Sequence, residues 1–340
     1  MRKLTIFLTI IFSVFVLNSC DDSFSIFSED GKEVTVVYGY LDVEADTNYL
    51  KITKSFTGSA VELAPNYSAN NYDYKLDVKL IGKFASTPAT VRTVTLDTTS
   101  VFKPYDPEGL FYSGVNQVLY YTAEKLLENQ EYQLVITRND GEVITSKVKT
   151  ICGATVKKPM NNISFELPNT NKIEWRSNTF NQLAAYYEVV GYFHYKQIDP
   201  GQTDTTYHKM RWYMGSGTGV EMYNSSTLNM FVNYTPNSFY TKLAADANIA
   251  NNTSTYTQRF VDCFEIVITS TGDELYNYIL IQNSGSAIMD TPEYTNIENG
   301  LGIFSSRSVC IHKVEVNYLT VNTLVRDYPE WGFKKVVGNY

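Results

Sequence analysis

The stretch Tyr132-Gln-Leu-Val-Ile-Thr-Arg-Asn-Asp-Gly-Glu-Val-Ile-Thr-Ser-Lys-Val148 decides the fold class. Two runs rich in β-branched residues alternate apolar and polar side chains, the period-two pattern of half-buried strands. Between them, Asn139-Asp140-Gly141 supplies residues that accept the positive φ of a tight hairpin turn. Towards the N-terminus the same pattern recurs at residues 34–43, 49–56, 76–84, 91–96 and 117–123. Short strands with turn signals between them predict an immunoglobulin- or fibronectin-like β-sandwich over residues 33–150. Residues 151–162, with Gly153, Pro159 and two Asn, read as a linker.

Beyond the linker, strands are predicted at residues 163–167 and 172–175. Residues 185–197 and 205–214 form a hairpin about Asp199-Pro-Gly-Gln. Further strands are expected at 219–223, 228–234, 260–269 and 309–319, and helices at 238–250, 272–282 and 321–327. The chain therefore reads as mainly β, with residues 163–340 forming a larger β-rich sandwich domain with short helices. Its 27 Tyr and 18 Phe fit that class, since aromatic and β-branched residues favour strands.

The first 20 residues carry a different message. Arg2 and Lys3 precede an apolar run over residues 4–17, and Leu17-Asn18-Ser19-Cys20 resembles the lipobox cut before its cysteine in bacterial lipoproteins. The run is shorter than the roughly 20 residues a membrane-spanning helix needs. Residues 1–19 are thus expected to be a removed signal peptide, with Cys20 acylated, palmitate included, as the membrane attachment. Asp21, Asp22, Glu29 and Asp30 make residues 20–32 an acidic tether. It resembles the surface-export signal of Bacteroidota lipoproteins, and reads equally as a plain solvated spacer. The expected location is the outer membrane, lipid-anchored, at the cell surface.

Without Arg2 and Lys3 the chain keeps 26 basic residues against 36 acidic ones, a net charge of −10. That excess disfavours nucleic acid as a partner, because binding there requires Lys and Arg to neutralise phosphates. It also leaves membrane attachment to the acyl chains.

Local signatures of catalysis are missing: no Gly-x-Ser-x-Gly, no His-Glu-x-x-His and no Cys-x-x-Cys. Met214-Gly-Ser-Gly-Thr-Gly-Val lacks the Lys-Ser/Thr and the strand-to-helix context of a phosphate loop, and is expected to be a hairpin turn. His194 and His208 lie on opposite arms of one predicted hairpin, and a one-residue shift of register decides whether they share a face. With no third ligand in view, no metal and no cofactor are expected. Cys263 and Cys310, both on predicted strands, either form a disulfide or remain buried free thiols. Cys152, in the linker, competes for the pairing.

Two aromatic-polar loops stand out, residues 64–74 and 103–112. Tyr67, Tyr72, Tyr74, Tyr105 and Tyr112 are the candidate binding residues, since Tyr offers contact area and a polar tip at low entropic cost. Most strand tyrosines serve the fold instead. Asp97-Thr98-Thr99 and Asp204-Thr205-Thr206 resemble glycosylation sequons of Bacteroidota secreted proteins, a match that chance also produces.

Val37-Tyr-Gly-Tyr-Leu, Tyr49-Leu-Lys-Ile-Thr-Lys-Ser-Phe, Gly272-Asp-Glu-Leu-Tyr-Asn-Tyr and Asn296-Ile-Glu-Asn-Gly-Leu-Gly-Ile-Phe-Ser occur in that order. Together they resemble the Bacteroidota outer-membrane lipoproteins classified as a domain of unknown function. The resemblance implies an immunoglobulin-like front domain and association with a TonB-dependent transporter, and implies no reaction. The expectation is a non-enzymatic binding or accessory protein of a surface uptake system. The alternatives are a fimbrial or adhesin-type subunit, a protein binding a surface glycan and, last, an enzyme with a dispersed site.

Overall fold

The computed structural model describes residues 33–56, 60–85, 90–106, 111–166, 171–179, 182–251, 256–284 and 294–335. Cys20, its lipobox and the acidic tether lie outside them. The described chain is mainly β.

Strands β1 (Thr35–Asp42) and β2 (Asn48–Lys54) pair antiparallel with Thr35 opposite Lys54. A loop carrying the one-turn helices α1 (Ala60–Leu63) and α2 (Tyr67–Asn70) follows. Next come β3 (Asp77–Gly82), β4 (Arg92–Thr95), β5 (Asp97–Lys103), β6 (Val115–Thr122), β7 (Glu131–Thr137) and β8 (Val143–Lys149). One sheet has the order β4-β3-β7-β8, while β1-β2-β6-β5 is one flank of a larger sheet. Their facing side chains, among them Val37, Leu50, Val78, Leu80, Leu134, Ile136 and Ile144, form one buried cluster, as alternation requires of two packed sheets. The β7–β8 turn falls where Asp-Gly places it, with Gly141 at φ 88°.

The second half contributes β9 (Ala154–Lys158), β10 (Asn162–Ile163), β11 (Asn171–Ser177), β12 (Tyr186–Ile198) and β13 (Thr206–Thr218). After α3 (Gly219–Met222) come β14 (Tyr223–Asn224), β15 (Asn229–Tyr234), α4 (Pro236–Ala244), α5 (Ala247–Ala250) and β16 (Gln258–Thr271). Then follow α6 (Asp273–Ser284), β17 (Gly300–Val316) and α7 (Tyr318–Asp327), and a 3-10 turn at Pro329–Trp331 closes the series. A sheet of β14-β15-β11-β9 accompanies the β13-β12-β16-β17 flank. Phe165, Trp175, Phe193, Trp212, Phe239 and Phe264 belong to the core. Phe165 and Phe239 stack at 3.9 Å. Arg259, 1% exposed, donates to Gln197 Oε1, Trp331 O and Asn248 O at 2.7–2.8 Å, which pins the C-terminal segment to the long hairpin.

Strand β17 links the two halves. Its residues Gly300–Arg307 pair in parallel with β1, and Arg307–Val314 pair antiparallel with β16. The sandwich around Val37 accordingly includes Ile297 and Phe304 in its buried cluster, so residues far beyond Thr150 complete the core expected of residues 33–150.

The motif beginning at Asn296 builds this junction. The Asn296 side chain accepts from Phe304 N–H at 2.9 Å and donates to Phe304 O at 2.7 Å. Glu298 exchanges backbone hydrogen bonds with Thr145 of β8 at 2.8 and 3.2 Å, tying the segment to the opposite sheet as well. Asn299 sits at φ 58° and donates to Val143 O. A side chain at Gly302, φ 102°, would stand 2.1 Å from Val37 O. The family-like motif is thus a strand-joining device.

Several predicted elements differ. Residues 154–158 of the expected linker form β9, paired antiparallel with β11, the strand expected at 163–167 is the two-residue β10, and the strand expected at 309–319 ends at Val316, before helix α7 begins at Tyr318. Residues 214–218 are the continuation of β13, paired with β12 as far as Tyr186 opposite Thr218, with a bulge at Val189/Val190 where Gly215 takes φ 150°. They are neither a turn nor a phosphate loop. The strand predicted at 219–223 begins instead as helix α3, because Thr218 and Glu221 close a capping box.

Candidate binding cleft

Asparagine side chains give the 60–75 loop its shape. Asn66 caps α2, accepting from Ser68 N–H and Ala69 N–H at 3.0 and 3.3 Å. The amide of Asn70, 4% exposed, donates to the carbonyls of Leu63, Ala64 and Asn66, and Asn71 donates to Tyr67 O at 2.8 Å. Short amides replacing backbone partners in this way fix a loop that no ladder supports. The second Tyr-rich loop joins it directly: Tyr112 N–H donates to Ala64 O at 3.0 Å.

Four of the five candidate tyrosines come together through this contact. Tyr67 meets Tyr112 edge-on at 5.0 Å, and Tyr72 lies 5.4 Å from Tyr74. Tyr67, Tyr72 and Tyr74 line a cleft of about 220 Å³ with Asn71, Asp73, Lys75, Ile52, Thr98, Val118 and Tyr120. Tyr112 is buried at 4% exposure, with the ammonium groups of Lys51 and Lys103 over its ring at 5.2 and 5.0 Å. It supports the cleft rather than facing a ligand. Tyr105, 75% exposed, stays outside at the tip of the β5–β6 hairpin.

Burial tunes the groups around the cleft. The Tyr72 hydroxyl lies 2.8 Å from Thr35 Oγ1, and desolvation pushes its pKa up to about 12. Tyr120, whose hydroxyl accepts from Leu76 N–H at 2.9 Å, is raised for the same reason. Desolvation lowers Lys51. Among the described residues no carboxylate pairs with Lys51 or Lys103, whereas Lys75 is held by Asp97 at 2.9 Å. The cleft combines ring faces, amides and one ion pair. Such a surface can hold a polar ligand or peptide segment.

Sequence reasoning missed the cleft's floor. Thr98 lies on β5, which polar residues disguised, and Val118 and Tyr120 lie on β6. The cross-strand pairs Thr98–Tyr120 and Ser100–Val118 bring them to one side.

The remaining candidates separate. His194 pairs across the hairpin with Lys209, and His208 with Tyr195, so the two imidazoles fall on opposite faces. His208 stacks on Tyr195 at 5.4 Å, and His194 lies 3.8 Å from Glu265. Among the described residues no group of three or more His, Cys, Asp or Glu side chains could hold a metal. Of the two outcomes left open for Cys263 and Cys310, the structure has the free thiols and not the disulfide, and Cys152 is free as well. Cys310 stands opposite Ile268 and Cys263 opposite His194. Five positions along β16 correspond to ~16 Å, far beyond the 4.4–6.8 Å between Cα atoms that a disulfide bridges. Among the described residues no helix is long and apolar enough to cross a membrane.

A family model described as a domain of unknown function (DUF4249) matches residues 21–310. No curated protein matches the chain.

Proposed function

The chain belongs to the DUF4249 family, and from that premise we propose that it is a lipid-anchored, surface-exposed outer-membrane protein that binds through the tyrosine cleft. In this reading it serves a surface uptake system as an accessory subunit of a TonB-dependent transporter and turns nothing over. The observation that carries the reading is the convergence of Tyr67, Tyr72 and Tyr74 on one cleft shaped by two mutually bonded loops. A Bacteroidota source and the acylation of Cys20 belong to the same proposal, resting on the sequence of residues 1–30. The front sandwich is read as immunoglobulin-like. In support, the Tyr132 hydroxyl accepts from Leu127 N–H five residues upstream at 2.9 Å and donates to Lys83 O, the kind of corner such sandwiches use.

Affinity purification of the full-length protein from native outer membranes tests the proposal. Val118, 42% exposed, lines the cleft, so Val118→Arg should fill it while leaving the fold intact. Recovery of an outer-membrane transporter with wild type and its loss with Val118→Arg is the expected result. Equal recovery with both would remove the cleft from the reading. Asn71, Asp73, Lys75 and Thr98 beside ring faces also suit a saccharide, and a glycan array with the same pair of proteins tests that second reading.

A further inference from the structure

We infer that the end of the front sandwich bearing Phe102, Tyr105 and Phe111 is a membrane-docking tip that seats in the lipid headgroup layer. The inference rests on the acylation of Cys20 proposed above and adds to it a second, side-chain contact with the bilayer.

Strand directions place the tip. Thr35 of β1 stands opposite Lys54 of β2, so the chain leading back to Cys20 leaves the sheet at the Lys54 end. Strand β6 runs antiparallel to β2, and β5 antiparallel to β6, with Lys103 opposite Val115. The β5–β6 turn therefore leaves the sheet at the same end as Glu33, three strands away, or ~14 Å at the usual strand spacing. Only twelve residues, 21–32, separate Cys20 from Glu33, and a chain of that length spans at most ~47 Å. An acylated Cys20 thus holds this end of the molecule close to the membrane.

The surface at that end is unusual for an exposed hairpin. Phe102 and Phe111 are 60% and 44% exposed, and they are the only exposed Phe among the described residues. Tyr105, 75% exposed, lies between them, and Val61 of the neighbouring loop is 69% exposed. Tyr favours the membrane–water interface, where an apolar body and a polar tip are both accommodated, and Phe rings beside it bury apolar area at the headgroup boundary. The nearby charges are mixed: Lys51, Lys54 and Lys103 against Glu33, Glu62 and Asp106. The attraction is therefore apolar, and no basic patch is needed. Strand β17 starts at this end and runs away from it for 17 residues, so the second half of the molecule points outward. The cleft lies between, with Thr98 four positions up β5 from Phe102.

Depth-dependent quenching in lipid vesicles tests the tip with the processed, acylated full-length protein. The native Trp175, Trp212 and Trp331 are 0%, 7% and 8% exposed, all in the second half, so they give little background. Tyr105→Trp should lose its added emission in vesicles of brominated phosphatidylcholine. Tyr207→Trp, at a 74% exposed site at the far end of β13, should not. Phe102→Ser with Phe111→Ser, made in the Tyr105→Trp protein, should abolish the quenching while flotation with vesicles persists. Unquenched emission from Tyr105→Trp in floated protein overturns the tip and leaves these residues to a protein partner. Undiminished quenching in the double serine variant overturns it too, because the tether alone then holds the turn near the lipid. A wild-type protein that does not float overturns the acylation reading itself.

Discussion

Gly302→Ala should be among the most damaging single substitutions available in this chain. An added methyl group at φ 102° costs roughly 1–3 kcal/mol in backbone strain alone. It would also stand 2.1 Å from Val37 O and 3.0 Å from Val37 N and C, which forces β17 away from β1. Backbone displacement of this kind costs typically about 1–3 kcal/mol more. The sum, about 2–6 kcal/mol, is a large part of the stability of an ordinary domain. Gly141 provides the internal control: its φ is 88°, yet nothing lies within 4 Å of where a Cβ would be. Gly141→Ala should therefore show the conformational term without the collision. Urea unfolding followed by far-ultraviolet circular dichroism measures both variants. Equal losses would refute the view that the β1–β17 approach, rather than glycine's torsion, makes Gly302 necessary.

The remaining expectations concern the same junction and the buried groups. A fragment of residues 33–150 lacks Ile297 and Phe304, and should unfold without cooperativity in circular dichroism. In the full chain Phe304→Ala should cost about 3–5 kcal/mol. Burial raises Tyr72 to about 12. A raised tyrosine pKa gives stability that is complete below the unfolded value near 10 and is lost as the pH climbs from there to about 12. Alkaline unfolding should be less steep in Tyr72→Phe, as pH-dependent urea midpoints will show. Thiol titration of denatured, unreduced protein lacking Cys20 should find all of Cys152, Cys263 and Cys310 reactive. A single reactive thiol would mean that a disulfide forms.

The legible parts of the fold were those whose information is local. Alternation found β1, β2, β7, β8, β12 and β16, and Asp140-Gly141 found its turn. The first half of β17, Gly300 to Arg307, was not legible as a strand. Its glycines and serines have weak β preference, and its partner β1 lies some 265 residues away in sequence. What makes it a strand is the close approach of two backbones, a tertiary fact. The helix at Gly219 could have been found, since Thr218-x-x-Glu221 is a capping box. In the cleft, Tyr composition pointed to two loops that the structure joins, but not to which side chains serve as structure. Tyr112 is buried, with its backbone bonded to Ala64 and its ring under two ammonium groups, whereas Tyr105 of the same loop stands exposed. Neither arrangement follows from spacing.

The most direct test places a photo-crosslinking amino acid at Tyr74 or at Tyr207 in the intact protein and irradiates living cells. If the cleft is the working surface, Tyr74 should give a discrete adduct to an outer-membrane protein or surface glycan, lost when Val118→Arg is present, and Tyr207 should give none. Adducts only at Tyr207, or adducts at Tyr74 that survive Val118→Arg, would contradict it.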